Sequence, residues 1–192
     1  KCNLYGNLAS KRQMKKEEAH IIKEILSGKT EHYEYFLDCY GQQVFVLVDR
    51  IVSCQEEAEE LTQDVFIKAF QQLSSFKAES SFSTWIYRIA TNECIRFLNR
   101  KKEETVSTEE MQAELMNKLM ASEYVDYDNA MEVKFQQAIL TLPEKQRLVF
   151  NLRYYDDLKY EEISRITDTK VETLKANYYF AKEKIKEYMT HN

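Results

Sequence analysis

The chain has 192 residues, enough for one large domain or two small ones. Only three glycines and one proline are available for tight turns, and apolar residues recur every three or four positions along most of the chain. This pattern predicts an all-α fold. No apolar segment is long enough to cross a bilayer and no signal peptide opens the chain, so we expect a cytoplasmic protein without membrane insertion.

Residue types that carry catalysis or bind metals are few and scattered. The four cysteines (Cys2, Cys39, Cys54 and Cys94) lack close paired spacing, and three occupy apolar or boundary positions of helical segments. We therefore expect reduced thiols, not a disulfide framework or a zinc site. The sequence has no Gly-rich phosphate loop and no nucleophile elbow. We predict no catalytic residues, no metal and no cofactor.

A first helical unit is predicted over residues 15–102. Helical periodicity covers residues 20–26, 33–52, 56–73 and 83–100, with Gly28, Cys54-Gln55 and the loop FKAESSF between these segments. The opening residues, KCNLYGNLASKRQ, show no clear periodicity, so we leave them out of the predicted fold.

The helix predicted over residues 83–100 has a polar face that its packing does not require. At about 100° per residue, Arg88, Asn92, Arg96 and the Trp85 indole fall within about 80° of arc, opposite a broad apolar side. Guanidinium groups, carboxamides and an indole can stack on nucleobases and bind phosphates. An ordinary amphipathic helix with a few arginines is the alternative interpretation.

Acidic residues are concentrated between the two helical units. Residues 103–132 contain nine acidic residues and one lysine, a charge of −8, so the rest of the chain carries +3 of the total of −5. We predict a flexible acidic linker over residues 103–130, acting as a plain tether or as a chain that enters a basic channel.

A second unit is predicted over residues 131–190. Pro143 opens its first helix at the first helical position, and two more helices cover residues 159–167 and 170–189. The short separation of the last two helices is typical of a helix-turn-helix. In the final helix, Lys175, Tyr179, Lys182 and Lys186 form a basic ridge opposite the apolar side. This ridge suits DNA phosphates, and a three-helix bundle with a solvated lysine face is the alternative.

The two units together resemble the extracytoplasmic-function (ECF) sigma factors, the two-domain initiation subunits of bacterial RNA polymerase. The resemblance covers residues 20–102 and 131–189 and is strongest over AEELTQDVFIKAF and TWIYRIATNECIRFLNR. It implies that Glu60, Gln63 and Asp64 dock on the largest polymerase subunit through one helical face. A solvated acidic face is the alternative for these three residues.

The resemblance also assigns recognition and melting of the promoter −10 element to the 83–100 helix and the loop before it. The implied contact set is Lys77, Ala78, Glu79, Ser80, Ser81, Trp85, Arg88, Asn92, Arg96, Arg100 and Lys101. Asn92 matches the position that cradles a flipped base, where a carboxamide can both donate and accept. Trp85 matches a near-signature aromatic residue, although it could equally be a packing residue under the loop.

The C-terminal unit resembles the reader of the −35 element. The implied contact set is Lys170, Glu172, Thr173, Lys175, Ala176, Tyr179, Lys182 and Lys186. This chain has Asp168 where the turn commonly has Gly, and Asn177 and Phe180 where the family often has arginine. Asp can adopt the left-handed conformation, so we expect the turn to persist. Because these arginines are missing, the family pattern does not predict which −35 DNA sequence this chain recognises.

The resemblance implies a sigma factor that binds core RNA polymerase and promoter DNA, recognises −35 and −10 elements and stabilises melted DNA. Many members of the family are inhibited by an anti-sigma factor, and the sequence leaves such a partner open. Two alternatives are a helix-turn-helix regulator with an N-terminal sensing domain and a helical interaction protein that has lost DNA function.

Overall fold

The structure, a computed structural model, describes the backbone of residues 8–104 and 130–191 and the side chains of residues 16–101 and 130–191. Every regular element in these ranges is helical. The α-helices are α1 (Leu8–Leu26), α2 (Glu34–Val52), α3 (Gln55–Gln71), α4 (Phe82–Glu104), α5 (Ala130–Leu140), α6 (Glu144–Tyr154), α7 (Tyr160–Thr167) and α8 (Val171–His191). None of the helices within these ranges combines the length and apolar character needed to cross a bilayer. The all-α prediction is confirmed. The predicted acidic linker lies almost wholly outside the described residues.

Several helix bounds differ from the sequence prediction, among them the starts of α1 and α6. α1 begins at Leu8, although we had left the opening residues out of the fold. Pro143 is the N-cap of α6 and not its first helical residue, because its ψ of 143° is extended. The Pro143 carbonyl still accepts hydrogen bonds from Gln146 and Arg147, so this residue does start the helix.

The first unit is built around helices α2, α3 and α4, which pack against one another. Its centre is aromatic: the fully buried Phe36 and Phe82 rings stack with centroids 4.1 Å apart. At the junction between α2 and α3, Ser53 adopts the left-handed conformation with φ 57° and its N–H bonds to the Asp49 carbonyl. This C-cap ends α2 and turns the chain directly into α3.

The second unit has its own smaller core, formed where α5 and α6 pack on α8. α7 and α8 form the helix-turn-helix, joined by residues 168–170. Asp168 lies in the left-handed region, with φ 52° and ψ 38°, so the expectation that Asp can replace Gly in this turn is confirmed.

The two units are in contact with each other. α2 packs against α6, and α4 packs against α7. The buried apolar cluster of the first unit continues into the second through Val149, Leu152, Ile163, Ile166 and Leu174. The sequence did not predict this contact.

Candidate nucleic-acid and polymerase interfaces

The polar face of α4 is open to solvent. Arg88, Asn92 and Arg96 are all exposed, whereas Ile86 and Ala90, on the opposite side of the helix, are fully buried. The three polar side chains fall within about 80° of arc, one turn apart. α4 therefore presents two guanidinium groups and a carboxamide that its own core does not use.

Arg96 is held in place by a carboxylate that the sequence analysis did not single out. The Glu93 carboxylate lies 2.5 Å from the Arg96 guanidinium and 2.8 Å from the Lys68 ammonium group of α3. Arg96 is nevertheless 62% exposed. Glu93 thus links α3 to α4 and restricts the Arg96 side chain, whose outward side remains available to a backbone phosphate.

Trp85 is half-buried beneath the loop that precedes α4. Its ring centroid lies 5.3 Å from that of Phe76 and 5.5 Å from that of Phe82. The indole therefore helps to join the loop to the aromatic core. The sequence had left a packing role for Trp85 open as an alternative. The part of the indole ring that is not buried remains accessible to solvent.

The loop over residues 77–81 combines exposed residues with structural ones. Lys77, Ala78 and Glu79 are exposed, and Ala78 has a left-handed φ of 56°. The Ser81 hydroxyl accepts a hydrogen bond from the Thr84 N–H at 3.2 Å, so Ser81 caps α4. The structure therefore gives Ser81 a helix-capping role in addition to its place in the implied contact set.

Arg100 and Lys101, near the end of α4, have different surroundings. The Lys101 ammonium group lies 2.8 Å from the Glu57 carboxylate of α3, and only Arg100 is exposed. Lys101 therefore ties the end of α4 to the start of α3, and Arg100 is the more accessible of the two for DNA.

The face of α3 predicted to dock on polymerase is exposed. Glu60, Gln63 and Asp64 all reach solvent on one side of the helix. Ile67 lies between them on the same face and is 56% exposed. The sequence analysis missed this residue, although Ile67 falls outside the apolar stripe that packs the helix and could have been recognised from that position.

The residues that the resemblance assigns to the −35 element, at the start of α8 and along it, are open to solvent. All eight residues of the implied −35 set are exposed: Lys170, Glu172, Thr173, Lys175, Ala176, Tyr179, Lys182 and Lys186. The Lys175 and Lys182 ammonium groups lie 5.9 Å and 5.2 Å from the ring centroids of Tyr160 and Tyr178. These tyrosines help to orient the two lysines.

Phe180 is one of the two positions where arginine was expected. It is exposed, and its ring packs edge-on against that of Tyr179, with centroids 5.6 Å apart. The middle of the face implied to contact the −35 element is therefore aromatic and carries less positive charge than the family pattern predicts. Such a surface favours apolar contacts, for example with thymine methyl groups, over guanine-directed hydrogen bonds.

The three described cysteines, Cys39, Cys54 and Cys94, are free thiols. Cys94 is fully buried on the core side of α4, and burial raises the pKa of its thiol to about 12. A thiol that stays protonated is a poor nucleophile and metal ligand, so Cys94 acts as a small core residue.

Comparisons with known proteins agree with this geometry. Residues 36–104 match the model of sigma-70 region 2, and residues 132–185 match the model of sigma-70 region 4. The chain is therefore a sigma factor of the sigma-70 class.

Two full-length relatives define the family more closely. The chain is 30% identical over 178 residues to the ECF RNA polymerase sigma factor SigW of Bacillus subtilis (strain 168), covering 88% of this chain and 94% of the relative. It is 26% identical over 177 residues to the RNA polymerase sigma-H factor of Pseudomonas aeruginosa (strain PAO1), covering 88% and 92%. The chain belongs to the ECF sigma factors, and it directs RNA polymerase to promoters at transcription initiation.

Solved structures of sigma factors share the fold. The sigma factor RpoE in complex with the anti-sigma factor NepR, from Bartonella quintana, has a TM-score of 0.64 at 19% identity, covering 83% of this chain and 98% of that one. CnrH in complex with the cytosolic domain of CnrY has a TM-score of 0.62 at 16% identity, covering 87% and 93%. At these identities the similarity shows the fold alone.

Proposed function

We propose that the exposed face of α4, formed by Arg88, Asn92 and Arg96, holds the separated strand of the −10 element. The observation that carries this proposal is the exposure of these three side chains on a helix whose remaining sides are packed. Melting requires tighter binding to a single strand than to a duplex. Asn92 supplies hydrogen bonds to an extruded base, and the arginines supply phosphate contacts. Trp85, Arg100 and the loop over residues 77–81 border this face.

The exposed faces of α3 and α8 have separate roles in this proposal. The α3 face, with Glu60, Gln63 and Asp64, docks on basic side chains of core polymerase. The α8 face reads the −35 element: Lys182 and Lys186 contact phosphate, and the residues nearer the turn contact base edges. The region 2 match over residues 36–104 supports this function over a regulator whose N-terminal unit would sense a ligand.

The protein carries out no reaction of its own in this proposal, because the polymerase supplies the catalysis. It acts in the cytoplasm, where the polymerase and the chromosome are. An anti-sigma factor is included among its partners, and support comes from the similar structure in which a sigma factor is bound to the anti-sigma factor NepR.

Run-off transcription with core polymerase and genomic promoter fragments tests the proposed function. The wild-type chain should start transcription at defined sites, and its complete failure would disprove the function. Asn92→Ala should lower permanganate reactivity of unpaired thymines about tenfold, because a bidentate hydrogen-bonded contact between a carboxamide and a base edge contributes about 1–3 kcal/mol. Lys23→Ala, at an exposed position on α1, is the control and should leave reactivity unchanged.

Charge reversal tests the docking face. Glu60→Lys combined with Asp64→Lys should reduce affinity for core polymerase at least tenfold, because attraction becomes repulsion. The matched control reverses Glu34 and Asp38, which are exposed and also four residues apart on α2. Equal loss of affinity in both double variants would contradict the assignment of the α3 face.

A further inference from the structure

Three exposed side chains form one stripe along the outward side of α8. Thr173, Ala176 and Phe180 are spaced three and four residues apart and fall within about 60° of arc. All three reach solvent, and Phe180 is 53% exposed. Leu174 and Ala181 are buried on a different side of the helix, so the packing of α8 does not use these three residues. We call Thr173, Ala176 and Phe180 the α8 stripe.

The α8 stripe has the chemistry of a thymine reader. In the major groove, thymine is distinguished by its 5-methyl group, and the side chains that contact this group are alanine, the threonine methyl and phenylalanine. The stripe contains one residue of each of these three types. The sequence of α8 contains no arginine, the residue that most often forms the two hydrogen bonds to guanine. The helix is therefore better suited to thymine than to guanine.

The charged residues of α8 orient the stripe toward base edges. Lys182 and Lys184 are exposed and border the outward face on its two sides, and the exposed Glu183 lies between them. In a groove, lysines on both borders can reach the phosphates of both walls, whereas phosphates repel a carboxylate. The face between the two lysines, which includes the α8 stripe, therefore points toward the bases and not toward the backbone.

The largest side chain of the stripe is ordered by its neighbour. The Tyr179 ring packs against the Phe180 ring with centroids 5.6 Å apart and an angle of 72° between the ring planes. Such an edge-on pair restricts the rotation of both side chains. A side chain that is ordered before binding loses less conformational entropy when it meets its ligand. Phe180 is therefore prepared for a contact with a fixed position in the groove.

We propose that the α8 stripe recognises thymine 5-methyl groups, so that the −35 element of this sigma factor has A·T pairs where the stripe lies. Thr173 and Phe180 are about 10 Å apart along the helix axis, which is the length of about three base pairs. Phe180 is the main specificity-determining residue of the stripe, because its ring offers the largest apolar surface. The inference rests on the proposed function of α8 as the reader of the −35 element and adds the class of base pair that it reads.

Replacement of thymine by deoxyuridine tests the proposal, because it removes only the 5-methyl group. The probe is a duplex promoter found by the run-off assay, and it is bound by core polymerase carrying the full chain. At one or more −35 thymines, on either strand, the replacement should weaken binding about fourfold, since one buried methyl group is lost. Deoxyuridine between the −35 and −10 elements is the control and should leave affinity unchanged. Unchanged affinity after replacement of every −35 thymine, or a −35 element without A·T pairs, would overturn the proposal.

Phe180→Ala tests which residue senses the methyl group. The fourfold difference between thymine and deoxyuridine should disappear at one position in this variant, because the contact is already absent. Lys182→Ala is the matched comparison on the same helix: it should weaken both probes equally and reduce the salt dependence of binding, as expected for a phosphate contact. A fourfold difference that persists at every position in Phe180→Ala would remove this residue from thymine recognition.

A gain of guanine recognition provides a second test. Phe180→Arg places two hydrogen-bond donors where the methyl contact was, so it should bind a promoter with guanine in place of the contacted thymine at least about fivefold more tightly than the wild type does. Circular dichroism checks that both Phe180 variants are folded, and the exposed position favours this outcome. Thr173→Ser, which removes only a methyl group, tests the stripe at a second position by the loss of another deoxyuridine effect. A folded Phe180→Arg variant without any preference for guanine would contradict the position of residue 180 at the base edges.

The measurements separate this inference from the proposed function. Failure of the wild type to start transcription at any promoter would overturn the proposed function and this inference with it. Normal transcription with equal affinity for thymine and deoxyuridine promoters would overturn the inference alone. If Phe180→Ala then weakened binding to core polymerase instead, the exposed ring would belong to a protein contact.

Discussion

The Trp85 indole packs against the Phe76 ring, with the two centroids 5.3 Å apart. This contact fastens the loop over residues 77–81 to the first unit. Trp85→Ala should lower the free energy of unfolding by about 2 kcal/mol, because a half-buried aromatic ring is removed, and Trp85→Phe by less than about 1.5 kcal/mol. Urea unfolding measures both. Unchanged stability in Trp85→Ala, together with lost promoter melting, would show that the indole contacts DNA instead of supporting the loop.

Ala78 provides a test of loop strain. Its φ of 56° lies in the left-handed region, which costs a residue with a Cβ about 1–2 kcal/mol. Ala78→Gly removes this cost but increases the entropy of the unfolded chain, so the net result should be a stabilisation of up to about 1 kcal/mol. Glu79→Gly, at the next position, should destabilise by about 0.5–1 kcal/mol because it brings only the entropic cost. Destabilisation by both substitutions would argue against strain at Ala78.

Ile67 should contribute to polymerase docking. It is exposed among the acidic residues of the α3 face, so truncation removes apolar area from the contact without opening a cavity in the core. We expect Ile67→Ala to weaken binding to core polymerase about five- to tenfold, with stability changed by less than about 0.5 kcal/mol. Leu26→Ala, at an exposed position on α1, is the control for binding assays. Wild-type affinity in Ile67→Ala would remove this residue from the docking surface.

The features that the sequence predicted correctly are periodic. The helix-turn-helix and the exposed face of α4 follow from apolar spacing, because a helix that buries one side leaves the rest exposed. Contacts between residues whose positions follow no helical period were not predicted from the sequence. Arg50 and Asp156 are 106 residues apart, and each could equally be a solvated charge on its own helix end. The Ser81 cap was also missed, because serines in a polar loop suit DNA contact and helix capping equally well.

Acidic conditions should strengthen the contact between the two units. Burial raises the pKa of Asp156 to about 6, and the opposing effect of Arg50 is the smaller one. When the two units separate, the carboxyl group should return toward its ordinary pKa of about 3.9, so forming the contact takes up a proton between about pH 4 and pH 6. The stabilisation is therefore lost as the pH rises through 6. The ratio of chains with the two units in contact to chains with the units apart should be about tenfold higher at pH 5 than at pH 7.5, as measured by small-angle X-ray scattering.

Asp156→Asn tests whether Asp156 is the group whose titration causes this pH dependence. Arg50 lies beside the Asp156 carboxylate and also stacks on the Tyr155 ring. The carboxamide is neutral at every pH and can still accept a hydrogen bond from Arg50. In Asp156→Asn the two units should therefore be in contact at pH 7.5 to the same extent as in the wild type at pH 5, and most of the pH dependence should be lost. An undiminished tenfold dependence in this variant would contradict the assignment to Asp156 and point to Asp49, the residue before Arg50 on α2, whose pKa burial also raises.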